Sequence, residues 1–335
     1  MTHWEPKRTR LHRRTCLAAA LAAMAAPRAL AGAAAPPGLR LGVLKFGTVQ
    51  WVAEIIRLHA LDQAHGFALE TVTLANTDAG RVALMAQSVD VVVSDWFFVA
   101  SQRAAGTQLS FAPFTTASGA LMVPSASPVR GIADLRGRRL GVAGGPLDKS
   151  WLLFQAAARS TAGIDVAAAA EVAYGAPPLL NAKLQQGELD AVLTFWNFAA
   201  RLEADGFRQV ISVADCARAL ALPAPLSLIG FVFHETWARE NPAMVAGFLA
   251  AAADAEHRLA ASDADWQQIR PLMEAPDDAL FASLRRRFIE GIALPSHADQ
   301  QRAAALLFDI LLRSGGTRAT SGIDRLPEGI FWPAP

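Results

Sequence analysis

Polar and aromatic side chains recur directly after the apolar, β-type runs of this chain. Lys45, Thr48, Gln50 and Trp51 follow LRLGVLKF, and Ser94, Asp95 and Trp96 follow VDVVV. Thr115, Thr116 and Ser118 close LSFAPFTT. Further on, Gly144, Gly145, Asp148 and Lys149 follow RRLGVA, and Thr194, Trp196 and Asn197 end LDAVLTFWN. Taken singly, each residue reads as a helix cap or a core tryptophan. Repeated at strand after strand, they point to one ligand cleft, because open α/β sheets bind ligands outside the carboxyl ends of their strands. Asp78 lies near the same set of loops.

Bond-making chemistry finds little support. There is no Gly-x-Ser-x-Gly elbow and no His-Glu-x-x-His pair. His59, His65, His234, His257 and His297 stand far apart and form no metal-ligand pair. No Gly-x-Gly-x-x-Gly follows the first strand, which removes the dinucleotide fingerprint. RRLGVAGGPLDKSW has the layout of a phosphate loop, but Asp148 and Ala143 stand where that motif needs glycine. What remains there is a glycine turn at a helix start, with N–H groups facing a polar ligand. No catalytic residue, metal or cofactor is expected. The alternative from the enzyme class uses Asp95, Asp148 and Lys149 for acid–base work.

The elements that must carry these residues alternate. Strands are expected at 39–46, 67–75, 89–95 and 109–116, with helices between them, one capped by Thr77. A second unit has strands at 138–144, 171–175 and 189–195, and FRQVISVAD as its last. An apolar strand within 222–233 and mainly helical chain from 235 onward follow. The β-α-β order implies parallel sheets covered by helices.

The chain has 335 residues, 53% of them hydrophobic, with 31 basic against 30 acidic. An even balance without a basic block excludes general nucleic-acid binding. Two cysteines cannot make a disulfide framework. Residues 1–31 read as an export signal: a basic start, a short apolar run from Leu17, Pro27, then Ala29-Leu30-Ala31. Arg13 and Arg14 precede the apolar run as in twin-arginine signals, although Thr15, Cys16 and Leu17 depart from that form. Six of the 31 basic residues and one of the 30 acidic ones fall in this segment, so the remainder is acidic by four.

The segments LGVLKFGTVQW, GRVALMAQSVDVVVSDW, ALMVPSASPVRGIADLRGRRLGVAGG and LLNAKLQQGELDAVLTF resemble the periplasmic substrate-binding proteins of ABC importers of the nitrate/sulfonate/taurine type. The resemblance implies a type II periplasmic binding protein fold: two α/β domains, a cleft between them and a helical C-terminus packed on the first. It implies crossings near Val123–Ser127 and Ala221–Ser227, hence domain one at 39–124 and 226–335 and domain two at 125–225. It implies capture of a small polar solute, sulfonate-, nitrate- or taurine-like or a thiamine-type pyrimidine held between Trp96 and Trp196. Delivery would be to an ABC permease and its ATPase, by a periplasmic monomer. A ligand sensor using the same cleft is the other alternative. The expected ligand set is Lys45, Thr48, Gln50, Asp78, Asp95, Trp96, Thr115, Gly144, Gly145, Asp148, Lys149, Trp196 and Asn197.

Overall fold

The structure is a computed structural model that describes residues 1–3, 36–45, 47–223 and 225–333. Apart from its first three residues, the expected export signal lies outside these. From Pro37 onward the chain forms one unit, built on two five-stranded sheets.

The first sheet takes strands β1 (Gly38–Leu44), β2 (Ala68–Leu74), β3 (Val91–Asp95) and β4 (Leu109–Thr115). The second takes β5 (Ala120–Val123), β6 (Arg139–Ala143), β7 (Glu171–Gly175), β8 (Ala191–Thr194) and β9 (Arg208–Ser212). The tenth strand, β10 (Ile229–His234), returns to the first sheet. The spatial orders are β2-β1-β3-β10-β4 and β7-β6-β8-β5-β9. In each sheet the fourth strand runs antiparallel to both neighbours. Each of these reversed strands is the first one laid down after the chain changes sheets.

The first change falls at 116–119, upstream of the Val123–Ser127 crossing expected from the sequence. The proline at 124 marks a turn, but β5 is already paired into the second sheet before it. Gly119 permits the change: a Cβ there would lie 2.1 Å from the Thr194 carbonyl oxygen. The return falls between Ala219 and Ile229.

The helices are α1 (Val49–Leu58), α2 (Leu61–Ala64), α3 (Thr77–Met85), α4 (Trp96–Ala104), α5 (Lys149–Ala162), α6 (Val166–Ala169) and α7 (Pro177–Gln185). They continue as α8 (Trp196–Ala204), α9 (Val213–Ala219), α10 (Glu235–Glu240), α11 (Pro242–Ala261), α12 (Asp263–Met273), α13 (Asp278–Glu290) and α14 (His297–Ala319). The last is broken at Gly316, with φ +61° and ψ −163°. Asn76, not Thr77, caps α3: its side chain accepts from the Ala79 N–H.

Burial explains the strands. Val91 and Val92 are both buried, so β3 is covered on both faces, as continuous β-branched runs in parallel sheets are. Edge strand β2 exposes Glu70 to Thr73. The C-terminal helices divide between the sheets. α11 and α12 lie on α1, while α14 lies against α5, with Phe308 6.4 Å from Phe97 of α4. The helical C-terminus therefore does not pack on the first half alone, because α14 presents Leu307, Phe308 and Leu311 to a core shared by both sheets.

Candidate functional site

The carboxyl ends of β1 and β3 face those of β6 and β8, and the sequence-predicted residues fall into two groups there. The first is a cluster of charges. Asp95 caps α4, accepting from the Phe98 N–H at 2.9 Å, and Arg81 of α3 donates to it at 2.5 Å. Arg81 also reaches Ser94 Oγ at 3.1 Å. From the second half, Asp148 caps α5 and accepts from the N–H groups of Ser150 and Trp151 at 2.9 and 3.2 Å. Burial pushes its carboxyl up to about 6; the two N–H bonds oppose this, and the Asp95 charge adds to it. Lys149 lies 4.5 Å above the Phe97 ring and donates to Ser321 Oγ at 2.9 Å. Burial lowers its pKa, against the pull of Asp95 and Asp148. Gly144 bends the loop at φ +86°, with Asp148 filling the space beside it, while Gly145 faces open space.

The second group lines a cavity of about 350 Å³. Lys45, Gly47, Gln50 and Trp51 form one wall at the start of α1. Pro178, Asn181 and Gln185 of α7, with Asn197, Phe198, Arg201 and Asp205 along α8, form the other. Leu272, Glu274 and Leu280 close one side. Thr48 precedes α1 but its side chain makes no capping bond, so the first turn of this helix presents its N–H groups, where partial positive charge collects. Gln50 Nε2 donates to the Lys45 carbonyl at 3.2 Å. Arg201 donates to the carbonyls of Met273 and Glu274 at 2.8 and 3.2 Å, and burial lowers its pKa. Gln185 donates to Asp205 at 2.7 Å. Asn181 is 7% exposed; its amide nitrogen donates to the Phe198 carbonyl, and its Oδ1 has no hydrogen-bond partner. A wider depression of about 490 Å³, around Arg270 to Pro276, touches only α12 and the turn after it.

Several expected contacts are corrected by this geometry. Trp96 is wholly buried and stacked on Phe97 at 3.8 Å; as the first residue of α4 it turns into the core, so it cannot cover a ligand. Trp196 packs edge-on to Trp51 at 6.0 Å and belongs to an aromatic core with Trp266 and Phe288. It joins the halves instead of pairing with Trp96 about a ligand. Thr115 is buried, its hydroxyl spent on the Gly291 carbonyl at 3.1 Å. Asp78 is largely exposed and, among the described residues, pairs with Arg81. Lys45, Gln50 and Asn197 line the cavity; Asp95, Asp148 and Lys149 share the charge cluster. The residues missed were Arg81, Asn181, Gln185, Arg201 and Asp205. A signal was present: Asn197, Arg201 and Asp205 are four residues apart, a polar stripe along one helix face. Cys216 is buried, and burial pushes its thiol up to about 12.

Residues 98–263 match the family model described as NMT1/THI5 like. No curated protein sequence matches the chain. Among solved structures, the periplasmic aliphatic sulphonate binding protein SsuA from Escherichia coli is 19% identical, with a TM-score of 0.69 over 89% of this chain and 93% of that one. The alkanesulfonate-binding protein SsuA from Xanthomonas axonopodis pv. citri, bound to MOPS, is 19% identical, with a TM-score of 0.66 over 89% and 97%. The desulfurization enzyme DSZB is also similar, at 16% identity and a TM-score of 0.55 over 88% and 97%. The fold is thus that of a type II periplasmic binding protein, and the likeness read from the sequence holds at that level.

Proposed function

We propose that this protein is the solute-binding component of an ABC importer, which captures a small polar organic anion in the cavity between its two sheets and delivers it to a permease. The observation that carries this reading is the cavity itself. Its walls come from α1 of the first half and α7 and α8 of the second, so a solute bound there holds the halves together, as hinge closure requires. Its size lies at the lower end for small-molecule sites, roughly 300–1,000 Å³. Lys45, Arg201 and the start of α1 bring positive charge to it, with the carboxylates of Glu274 and Asp205 set against Arg201, and the α1 end with Lys45 suits a sulfonate or similar acid group. Gln50, Asn181, Gln185 and Asn197 supply amides for the rest of the solute. The lobes that close are residues 38–115 with 229–333, and 120–212. Export by the 1–31 segment, a periplasmic place of work and action as a monomer complete the proposal.

The test is a thermal-shift panel of ethanesulfonate, taurine, MOPS, nitrate and a thiamine-type pyrimidine. A solute at a hundred times its Kd raises stability by about 2.7 kcal/mol, and it is recovered unchanged after incubation. No stabilisation by any acid in the panel overturns the anion reading. Conversion of a bound sulfonate would favour the enzyme class instead, in line with the similarity to the desulfurization enzyme.

A further inference from the structure

One stretch near the C-terminus touches both crossovers between the two halves. At the first crossover, the Thr116 N–H donates to the Gly291 carbonyl at 2.9 Å, and the Thr115 and Thr116 hydroxyls donate to the same oxygen at 3.1 and 3.2 Å. The fit is close: a Cβ at Gly291 would lie 2.5 Å from that of Ala117. At the second crossover, the Ser227 N–H donates to Gln300 Oε1 at 3.1 Å, and Gln300 Nε2 donates back to Ser227 Oγ at 3.2 Å. Both residues are wholly buried, Ser227 at 0% and Gln300 at 1% exposure.

Past the break at Gly316, the chain makes a third junction. Ser321 Oγ accepts from Lys149 Nζ at 2.9 Å, on α5 of the second half. The Ser321 carbonyl accepts from the Ser101 hydroxyl at 3.3 Å, on α4 of the first. The tail then docks on edge strand β4: the Phe111 N–H donates to the Ile330 carbonyl at 2.7 Å, and the Trp332 N–H to the Phe111 carbonyl at 2.8 Å.

These contacts differ in how readily they break. Separating Gln300 from Ser227 would leave buried polar groups unpaired, which is costly. Lys149 and Ser321 are only half-buried, and water replaces such a bond at little cost. Hinge bending, in turn, needs the backbone angles of a few crossover residues to change, and here both crossovers are tied to one helix and the turn before it.

We propose that residues 291–332 form a clasp that sets the angle between the two halves, with the Lys149–Ser321 bond as the tie that releases on opening. The proposal rests on the reading that the halves move, but on no particular solute.

The test is double electron–electron resonance on the full chain with spin labels at Val82→Cys of α3 and Leu179→Cys of α7. Both sites are well exposed, at 69% and 54%; every variant carries Cys16→Ser, and buried Cys216 stays unlabelled. No ligand is added, so failure here leaves the solute-binding reading untouched. Ser321→Ala and Lys149→Met are each expected to add a longer-distance population that the parent lacks, and together no more than either alone. Gln300→Ala is expected to broaden the distribution; should it fail to fold, the Lys149 and Ser321 variants decide. Asp78→Asn, which loses only a contact within the first half, is expected to leave the distances unchanged. Superimposable distributions in parent, Ser321→Ala and Lys149→Met overturn the clasp, as does an equal shift in Asp78→Asn.

Discussion

Arg40 holds Asp90 through both its main chain and its guanidinium. The Arg40 N–H donates to Asp90 Oδ2 at 2.7 Å, Nη2 donates to Oδ1 at 2.6 Å, and the Asp90 N–H returns to the Arg40 carbonyl at 2.9 Å. Nη2 also reaches the Gln87 carbonyl at 3.0 Å. Arg139 and Asp190 repeat every one of these bonds, at 2.8, 2.8 and 2.9 Å, with Gly187 in place of Gln87 at 3.0 Å. Each arginine thus ties its strand, β1 or β6, to the turn that feeds the neighbouring strand, β3 or β8.

Removing these anchors should cost stability unequally. Asp90 has a side-chain exposure of 12% and Asp190 of 28%, so water competes more for the second. Asp90→Ala is expected to lose about 2–3 kcal/mol, the upper range for hydrogen bonds to a charged group. Asp190→Ala should lose about 1 kcal/mol, nearer an exposed pair. Urea denaturation of the two variants measures this, and an equal loss would show that exposure does not set the difference.

The repeat was legible in the sequence at a longer period than solenoid arrays use. Arg-Leu-Gly-Val stands at 40–43 and again at 139–142, and Asp-x-Val-x-x-x-Trp at 90–96 and 190–196. The buried strands were legible for the same reason, since a strand covered on both faces is continuously apolar. The fates of the two tryptophans were not. Trp96 and Trp196 both begin a helix after a β-type run, yet one faces its own core and the other packs across to Trp51. That choice depends on what the far half presents, which no local pattern encodes. The same holds for the cavity: the stripe of Asn197, Arg201 and Asp205 is visible, but the wall opposite it comes from residues more than a hundred positions away.

Gly119→Ala should damage the joint between the sheets. The added carbon would sit 2.1 Å from a main-chain oxygen of β8, and a backbone atom cannot swing aside as a side chain can. Overpacking of this kind costs about 1–3 kcal/mol. The expected outcome is a lowered melting temperature. An unchanged one would mean that the crossover re-forms at no cost and that glycine is not required there.

Solute binding should depend on the cavity more than on the charge cluster's exposed rim. With the solute found by the panel, Arg201→Ala and Gln50→Ala are each expected to weaken binding about tenfold or more, as loss of a hydrogen bond to a charged group does. Asp78→Ala and His257→Ala should leave it unchanged. Isothermal titration, after a check of folding, reads these out; parental affinity in both cavity variants would move the site elsewhere.

Asp148 gives stability a pH dependence of definite sign. Burial raises its carboxyl to about 6 in the folded chain, whereas an unfolded aspartate releases its proton at about 3.9. Between these values the folded state binds more protons, so stability falls as the pH rises from about 4 to about 6 and stays reduced above. At 1.36 kcal/mol per pKa unit the loss is about 3 kcal/mol, and the partial exposure of Asp148 reduces it to about 1–3 kcal/mol. Asp148→Asn keeps an oxygen to accept from Ser150 and Trp151 but cannot ionise. The variant should therefore unfold at a higher urea concentration than the parent at pH 8 and at the same concentration at pH 4. A variant less stable than the parent at pH 8 would show instead that the charge of Asp148, set against Lys149, contributes more than its burial costs.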